Sequence, residues 1–377
     1  MRHNIKHSRS VSVRKLFTKG RYICFVHPLL RKSDQTNLPP HFQGQSPPIF
    51  RITTAHNYFQ LALKAAWLLA AFSLLGSCKK KDSPPPEGYR QAMRNFVKKI
   101  SDYAKSRNPN FAIIPQNGLE ITRGEDGSLA WSYLAVIDGA GCEELLYGYE
   151  GDDRPTPEEI TTSWKNYLDL LKANGKKVLV IDYCSSPAHV DSSYAKNNRF
   201  GYISFAAHRR EVDAIPPYPP QPFAVNAESI ATLSQARNFL YLLNPSGFPS
   251  KAAFLDALRN TDYDLLIIDL FYQGEALTPE EVRSLQVKKN GARRLVVSYL
   301  SIGEAEDYRY YWRPEWKRKP PAWLDKENPN WPGNYKVKYW YSEWQDIILD
   351  YTRRIREAGF DGAYLDIIDA FAYYESK

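Results

Sequence analysis

The chain has 377 residues and a formal net charge of +8, but residues 1–78 hold 11 of the 50 Lys and Arg and one acid, Asp34, leaving 39 bases against 41 acids, a net of −2. A body so balanced carries no nucleic-acid footprint, and its length suffices for one large domain or two modest ones. Beyond residue 78 only Cys142, Cys184, His189 and His208 remain of their types, which excludes a disulfide framework, a zinc-ligand spacing and a histidine-rich metal site.

The leader comes first. Arg51, His56 and Lys64 precede an apolar run from Ala65 to Leu75, and Gly76-Ser77-Cys78 follows. This is the pattern of a signal peptide whose apolar region is too short for a helix of about 20 residues to span a bilayer. It resembles a bacterial lipobox, which implies that Cys78 is lipidated and that the mature protein is anchored to a membrane of the cell envelope. An ordinary cleaved signal is the alternative. Residues 79–88, KKKDSPPPEG, read as a proline-stiffened tether, and one domain is expected over 89–377.

Within that domain Gln91 to Ala104 places Met93, Phe96, Val97, Ile100 and Tyr103 on one helical face. A strand is predicted at Phe111 to Ile114, a second at Tyr133 to Ile137 and a third at Val178 to Ile181. Others follow at Tyr202 to Phe205, Phe239 to Leu243, Leu265 to Ile268, Leu295 to Tyr299 and around Ala363. Helices are expected from Pro157 to Leu171 with Thr156 as N-cap, around Phe254 to Leu258, after Thr278-Pro279-Glu280-Glu281, and from Ser342 to Ala358. The IPPYPPQP run, 215–222, reads as a rigid loop, and 308–341 as a long aromatic loop.

Eight short strands separated by helical patterns imply parallel pairing, and eight is the number that closes a sheet into a (β/α)8 TIM barrel. A doubly wound open sheet is the alternative, but no glycine-rich phosphate loop follows any strand. Acids cluster after the predicted strands: Asp138, Glu143, Asp182, Asp269, Glu304 and Asp366. Barrel enzymes keep their chemistry at the carboxyl ends of strands. The loop after the seventh strand adds Tyr308, Trp312, Trp316, Trp323 and Trp331, whose flat rings suit the C–H faces of sugars. Carboxylates and aromatic platforms, without a metal cluster or a nucleophilic serine or cysteine elbow, point to glycoside hydrolysis with no cofactor.

The segments FAIIPQNG (111–118), YLSIGEAEDYRYYW (299–312), ENPNWPGNYKVKYW (327–340) and GFDGAYLDIIDAF (359–371) resemble the endo-alpha-1,4-polygalactosaminidase family, glycoside hydrolase family 114, in its bacterial branch. The resemblance covers residues 89–377. It implies a (β/α)8 barrel with an Asp nucleophile on one strand and a Glu acid/base two strands later. Asp366 matches the first and Glu143, in IDGAGCEELLY, the second, with Glu144 its neighbour. The glutamate-bearing half precedes the Asp366 half here, so the chain resembles a circularly permuted member.

Strand ends two apart lie about 10 Å from one another, and side chains leaning inward bring carboxyls to about 5–5.5 Å, the separation of a retaining mechanism. Asn117, Asp138, Asp182, Asp269, Glu304, Tyr308 and Trp312 are then candidates for holding substrate, or, for Asp182 and Asp269, for structure alone. A partly deacetylated galactosamine polymer is cationic and suits an acidic, aromatic cleft. The competing readings are an envelope lipoprotein that binds glycan without cutting it, a hydrolase of another glycan, and a deacetylase or lyase on the same barrel. Scarce histidine weakens the metal-dependent version of the last.

Overall fold

A computed structural model describes residues 84–377, so the predicted signal peptide and Cys78 lie outside the described residues. Helix α1, Tyr89–Lys105, buries Met93, Phe96, Val97 and Ile100 along one face, as its periodicity requires. Eight parallel strands follow: β1 (Ala112–Pro115), β2 (Gly139–Glu143), β3 (Lys177–Tyr183), β4 (Ile203–Ala207), β5 (Leu240–Leu242), β6 (Leu265–Ile268), β7 (Leu295–Ser301) and β8 (Gly362–Asp366). Helices α2 (Glu158–Ala173), α3 (Pro187–Phe200), α4 (Lys251–Arg259), α5 (Pro279–Leu285), α6 (Ser342–Glu357) and α7 (Ala370–Glu375) are interspersed among them or follow β8. Strands β6 and β7 are buried along their whole length, which explains the apolar run of β6 and the largely apolar one of β7, interrupted by Ser298.

The fold is α/β, with its parallel strands in two sheets. One has the order β1-β8-β7-β6-β5 and the other β2-β3-β4. The first and last strands of the domain pair directly, Ala112 with Gly362 through Pro115 with Leu365. A parallel bridge between Gln116 and Gly141 joins β1 to β2. No ladder joins β4 to β5 among the described residues.

Three expectations need correction. The apolar stretch Tyr133 to Ile137 is not a strand: Trp131–Leu134 forms one helical turn, and β2 runs over the small residues that follow. The reason is steric, because a Cβ on Gly141 would lie 1.8 Å from the Tyr364 hydroxyl. A bulky residue on β8 takes the space that a branched residue on β2 would need. Thr156 does not cap α2, for its hydroxyl donates to the Glu144 carbonyl and Pro157 stands at the N-cap. The stretch 308–341 is only partly loop, since Asn334–Val337 pairs antiparallel with both Glu304–Glu306 and Leu324–Glu327. The start of α5 follows expectation: Thr278 and Glu281 form a reciprocal capping box. Cys142 and Cys184 are buried free thiols.

Candidate active site

Asp366 is the last residue of β8, and the chain turns sharply after it, with Ile367 at φ 61°. That turn brings the Ile367 amide back to donate to Oδ1 of Asp366 at 2.8 Å. The Tyr299 hydroxyl, from the adjacent strand β7, donates to Oδ2 at 2.8 Å. Burial and the charge of Glu143 push the Asp366 carboxyl up to about 8, against the opposing pull of these two donors.

Glu143 ends β2, the strand on the other side of β1. Asn117, just past the end of β1 and itself at φ 58°, holds it from two directions. Its amide nitrogen donates to Oε2 at 3.1 Å, and its side-chain oxygen accepts from the Glu143 amide at 3.0 Å. The Tyr183 hydroxyl, at the end of β3, donates to Oε1. Burial raises the Glu143 carboxyl above the ordinary range and Glu144 adds to the rise, while Tyr183, Asn117 and Arg210 oppose it. Glu144, at φ 62°, turns the other way and pairs with Arg210 at 2.6 Å.

Both carboxylates are thus gripped by a tyrosine from the neighbouring strand, and each is raised. Two such groups, one pushed up by the charge of the other, hold one proton between them over a range of pH and titrate as a pair. Tyr364, seated over Gly141, and Tyr241, whose hydroxyl donates to buried Gln116 at 3.3 Å, each feel the charge of both carboxylates. Asn117 therefore acts here as a support for Glu143. Tyr183, Tyr299, Tyr241, Gln116 and Arg210 were not singled out in the sequence, because a tyrosine within an apolar strand reads as core.

The outer rim is mixed. Glu304 is 1% exposed, and its Oε1 accepts from Asn328 at 2.9 Å and Lys336 at 3.0 Å, whereas its buried Oε2 has no hydrogen-bond partner among the described residues. Asp269 pairs with Arg309 at 2.7 Å and accepts the Phe271 amide, so it braces the rim. Tyr308 is 60% exposed with its hydroxyl on Glu306, and Trp331 is 55% exposed. Trp312 is partly buried, its ring 4.7 Å from that of Tyr335, and Trp316, Trp323 and Trp344 continue the same packed series.

Two predicted substrate contacts are corrected by position. Asp182 is wholly buried and satisfied by the Leu146 and Tyr147 amides, Ser193 and Asn197, which leaves it no face for substrate. Asp138 precedes β2, at the end of the strand opposite Glu143, where it pairs with Lys105 at 2.9 Å and accepts the Ile113 amide. Its misplacement follows from that of the strand.

Among the described residues no group of three or more His, Cys, Asp or Glu side chains is arranged to hold a metal ion. Depressions lined by Ile215, Pro219, Tyr263 and Lys289, and by Lys177, Tyr202, Phe223 and Arg237, lie at the amino ends of the strands, away from both carboxylates.

Residues 220–377 match the family model described as glycoside-hydrolase family GH114. Over these residues, about two fifths of its length, the chain is similar to family GH114. The matched stretch contains β5 to β8 with Asp269, Tyr299, Glu304 and Asp366, and Glu143, Asn117 and Tyr183 lie ahead of it. An uncharacterized protein of Methanocaldococcus jannaschii is 41% identical over 152 residues, 40% of this chain and 42% of the relative. One from Thermotoga maritima is 41% identical over 123 residues, 32% of this chain and 37% of the relative. The matches therefore span less than half the length of either relative. The crystal structure of Aspergillus fumigatus Ega3 in complex with galactosamine is 27% identical, covers 29% of this chain and 39% of that one, and has a TM-score of 0.24.

Proposed function

We propose that this protein is a glycoside hydrolase of family GH114 that cleaves alpha-1,4-linked galactosamine-type polysaccharide by a retaining mechanism. The observation that carries the reading is the pair Glu143 and Asp366: two raised carboxyls end the strands on either side of β1, each held by a tyrosine, and the charge of one is felt by the other. One proton shared by such a pair is what acid-assisted cleavage needs. Ionised Asp366 attacks the anomeric carbon while Glu143 gives its proton to the leaving oxygen. Glu143 then takes a proton from water, and the resulting hydroxide displaces Asp366 from the sugar, restoring both groups.

The proposal includes a closed (β/α)8 barrel of one domain, circularly permuted relative to the family. Supporting it are the direct pairing of β1 with β8, the bridge from Gln116 to Gly141, and a family match that begins in the half bearing Asp366. The amino sugar is favoured by Glu304, whose buried Oε2 lacks a hydrogen-bond partner among the described residues, since an ammonium group would supply a charge-assisted donor there. Anchoring through a lipid on Cys78, and with it an envelope location, belongs to the same proposal and rests on the LGSC pattern alone.

The test is incubation of the protein with de-N-acetylated alpha-1,4-galactosaminogalactan oligomers and with their fully acetylated counterparts, following product size, and calorimetric titration with both. Shortened products from the cationic oligomers support the reading. Binding without cleavage favours the envelope glycan-binding alternative, and cleavage of the acetylated set alone moves the assignment to another glycan.

A further inference from the structure

Arg210 lies three residues after β4, and nothing in the cleavage scheme above uses it. Its guanidinium is nonetheless engaged on every side. One terminal nitrogen donates to Glu144 Oε1 at 2.6 Å, the other to the Gly148 carbonyl at 2.8 Å, and Nε to Asp152 Oδ1 at 2.9 Å. Its central carbon stands 4.2 Å from the centre of the Tyr183 ring. Tyr183 in turn donates its hydroxyl to Glu143. A planar cation stacked on a ring fixes both the plane and the height of that ring, which a lysine ammonium does not do.

The charges around Glu143 are unequal in kind. From β2 comes the Cys142 thiol and from just past its end Glu144, from β3 Tyr183, from β5 Tyr241, and from β8 Tyr364 and Asp366. Asn117 adds a neutral donor from the end of β1. Arg210 is the cation in that set, and it lies against Glu144, the acid nearest to Glu143 in the chain. The backbone at Glu144 makes this pairing possible, because its positive φ sends consecutive carboxylates to opposite sides.

We propose that Arg210 is a positioning residue for Glu143: by stacking on Tyr183 it holds the tyrosine hydroxyl on the Glu143 carboxylate, and by pairing with Glu144 it offsets the neighbouring negative charge, so that together the two set the protonation of Glu143. This rests on Glu143 as the acid/base of the proposed reaction. Arg210 and Glu144 act with opposite sign. Losing the cation favours the protonated carboxyl, and losing the neighbouring acid favours the ionised one.

The experiment is an NMR titration of side-chain carboxyl carbons in the full chain labelled at glutamate, with the Glu143 signal identified as the one lost in Glu143→Gln. Arg210→Gln is expected to raise its midpoint and Glu144→Gln to lower it, each by about one pH unit. Arg210→Lys, which keeps the charge and gives up the stack, is expected to move it by less than Arg210→Gln. Midpoints that stay in place, or that move the same way in both Gln variants, overturn the proposal, since loss of structural support alone has no reason to act with opposite signs. If Arg210→Gln does not fold, Glu144→Gln decides: a fall supports the proposal, and no change or a rise overturns it. The titration needs no substrate, so failure of the glycosidase reading would show separately, as absent hydrolysis by the wild type with the opposite shifts intact.

Discussion

Tyr299 on β7 donates its hydroxyl to Asp366 on β8 at 2.8 Å, while the strand register sets Ser301 opposite Asp366 and Tyr299 opposite Tyr364. The tyrosine therefore reaches two residues along the strand to hold a carboxylate. Removing it in Tyr299→Phe deletes one of the two donors that favour the ionised form. A hydrogen bond to a charged group contributes about 1.5–3 kcal/mol, so kcat is expected to fall about 10- to 100-fold. The acid limb of the pH–rate profile should also move upward. An unchanged limb would show that Tyr299 does not govern Asp366.

The raised Asp366 carboxyl makes a prediction about stability. Its folded pKa, about 8, exceeds the value of about 3.9 expected in the unfolded chain. The folded state thus binds the proton more tightly. The stabilisation this brings is complete below about pH 4 and lost as pH rises through about 8. Asp366→Asn does not titrate and escapes that loss. Its melting temperature relative to the wild type should increase between pH 5 and pH 8.5. A difference constant over that range would contradict the shift.

Gly141→Ala tests the steric account of β2. Its new Cβ would fall 1.8 Å from the Tyr364 hydroxyl, and Tyr364 is fully buried with no room to retreat. Overpacking of this kind costs about 1–3 kcal/mol and displaces the Tyr364 ring, which feels the charge of both carboxylates. Both thermal stability and activity should fall, whereas Gly127→Ala, strained by its φ of 79° but with nothing within 4 Å of its Cβ, should cost some stability and leave activity intact.

Lys288 and Asp264 provide a contrast at the far end of the strands. They pair at 2.5 Å with both side chains fully buried, and Asp264 also accepts from Asn226 and the Arg237 amide just before β6 begins. Lys288→Met leaves an uncompensated buried carboxylate, at a cost of about 3–5 kcal/mol. Denaturant unfolding should register the loss, while kcat of the protein that remains folded should equal that of the wild type.

Strand positions were legible wherever burial on both faces demanded branched or aromatic runs, as in β6 and β7. They were misread at β2, where Gly139 and Gly141 lack side chains because the Lys177 carbonyl and Leu233 crowd the first and Tyr364 the second. That spatial fact has no local trace in the chain. Helix α3 was missed because its polar residues Ser193 and Asn197 face inward to satisfy Asp182, which breaks the apolar periodicity. At the site, Asp366 stood out as the acid ending a short apolar strand, and Glu143 as an acid after the misplaced second strand whose role came from the family resemblance. Tyr183, Tyr299 and Arg210 did not, since their roles depend on register between strands and on the backbone reversal at Glu144, which pattern alone does not express.

The central claim is that Glu143 and Asp366 work as an acid and nucleophile pair. It is tested most directly by the anomeric configuration of the first product, followed by proton NMR during cleavage of galactosamine oligomers by the wild type, Asp366→Asn and Glu143→Gln. The account predicts an alpha product first, with rates in both variants reduced by a factor of about 100 or more. A beta product first, or an Asp366→Asn variant that cleaves at the wild-type rate, would contradict it.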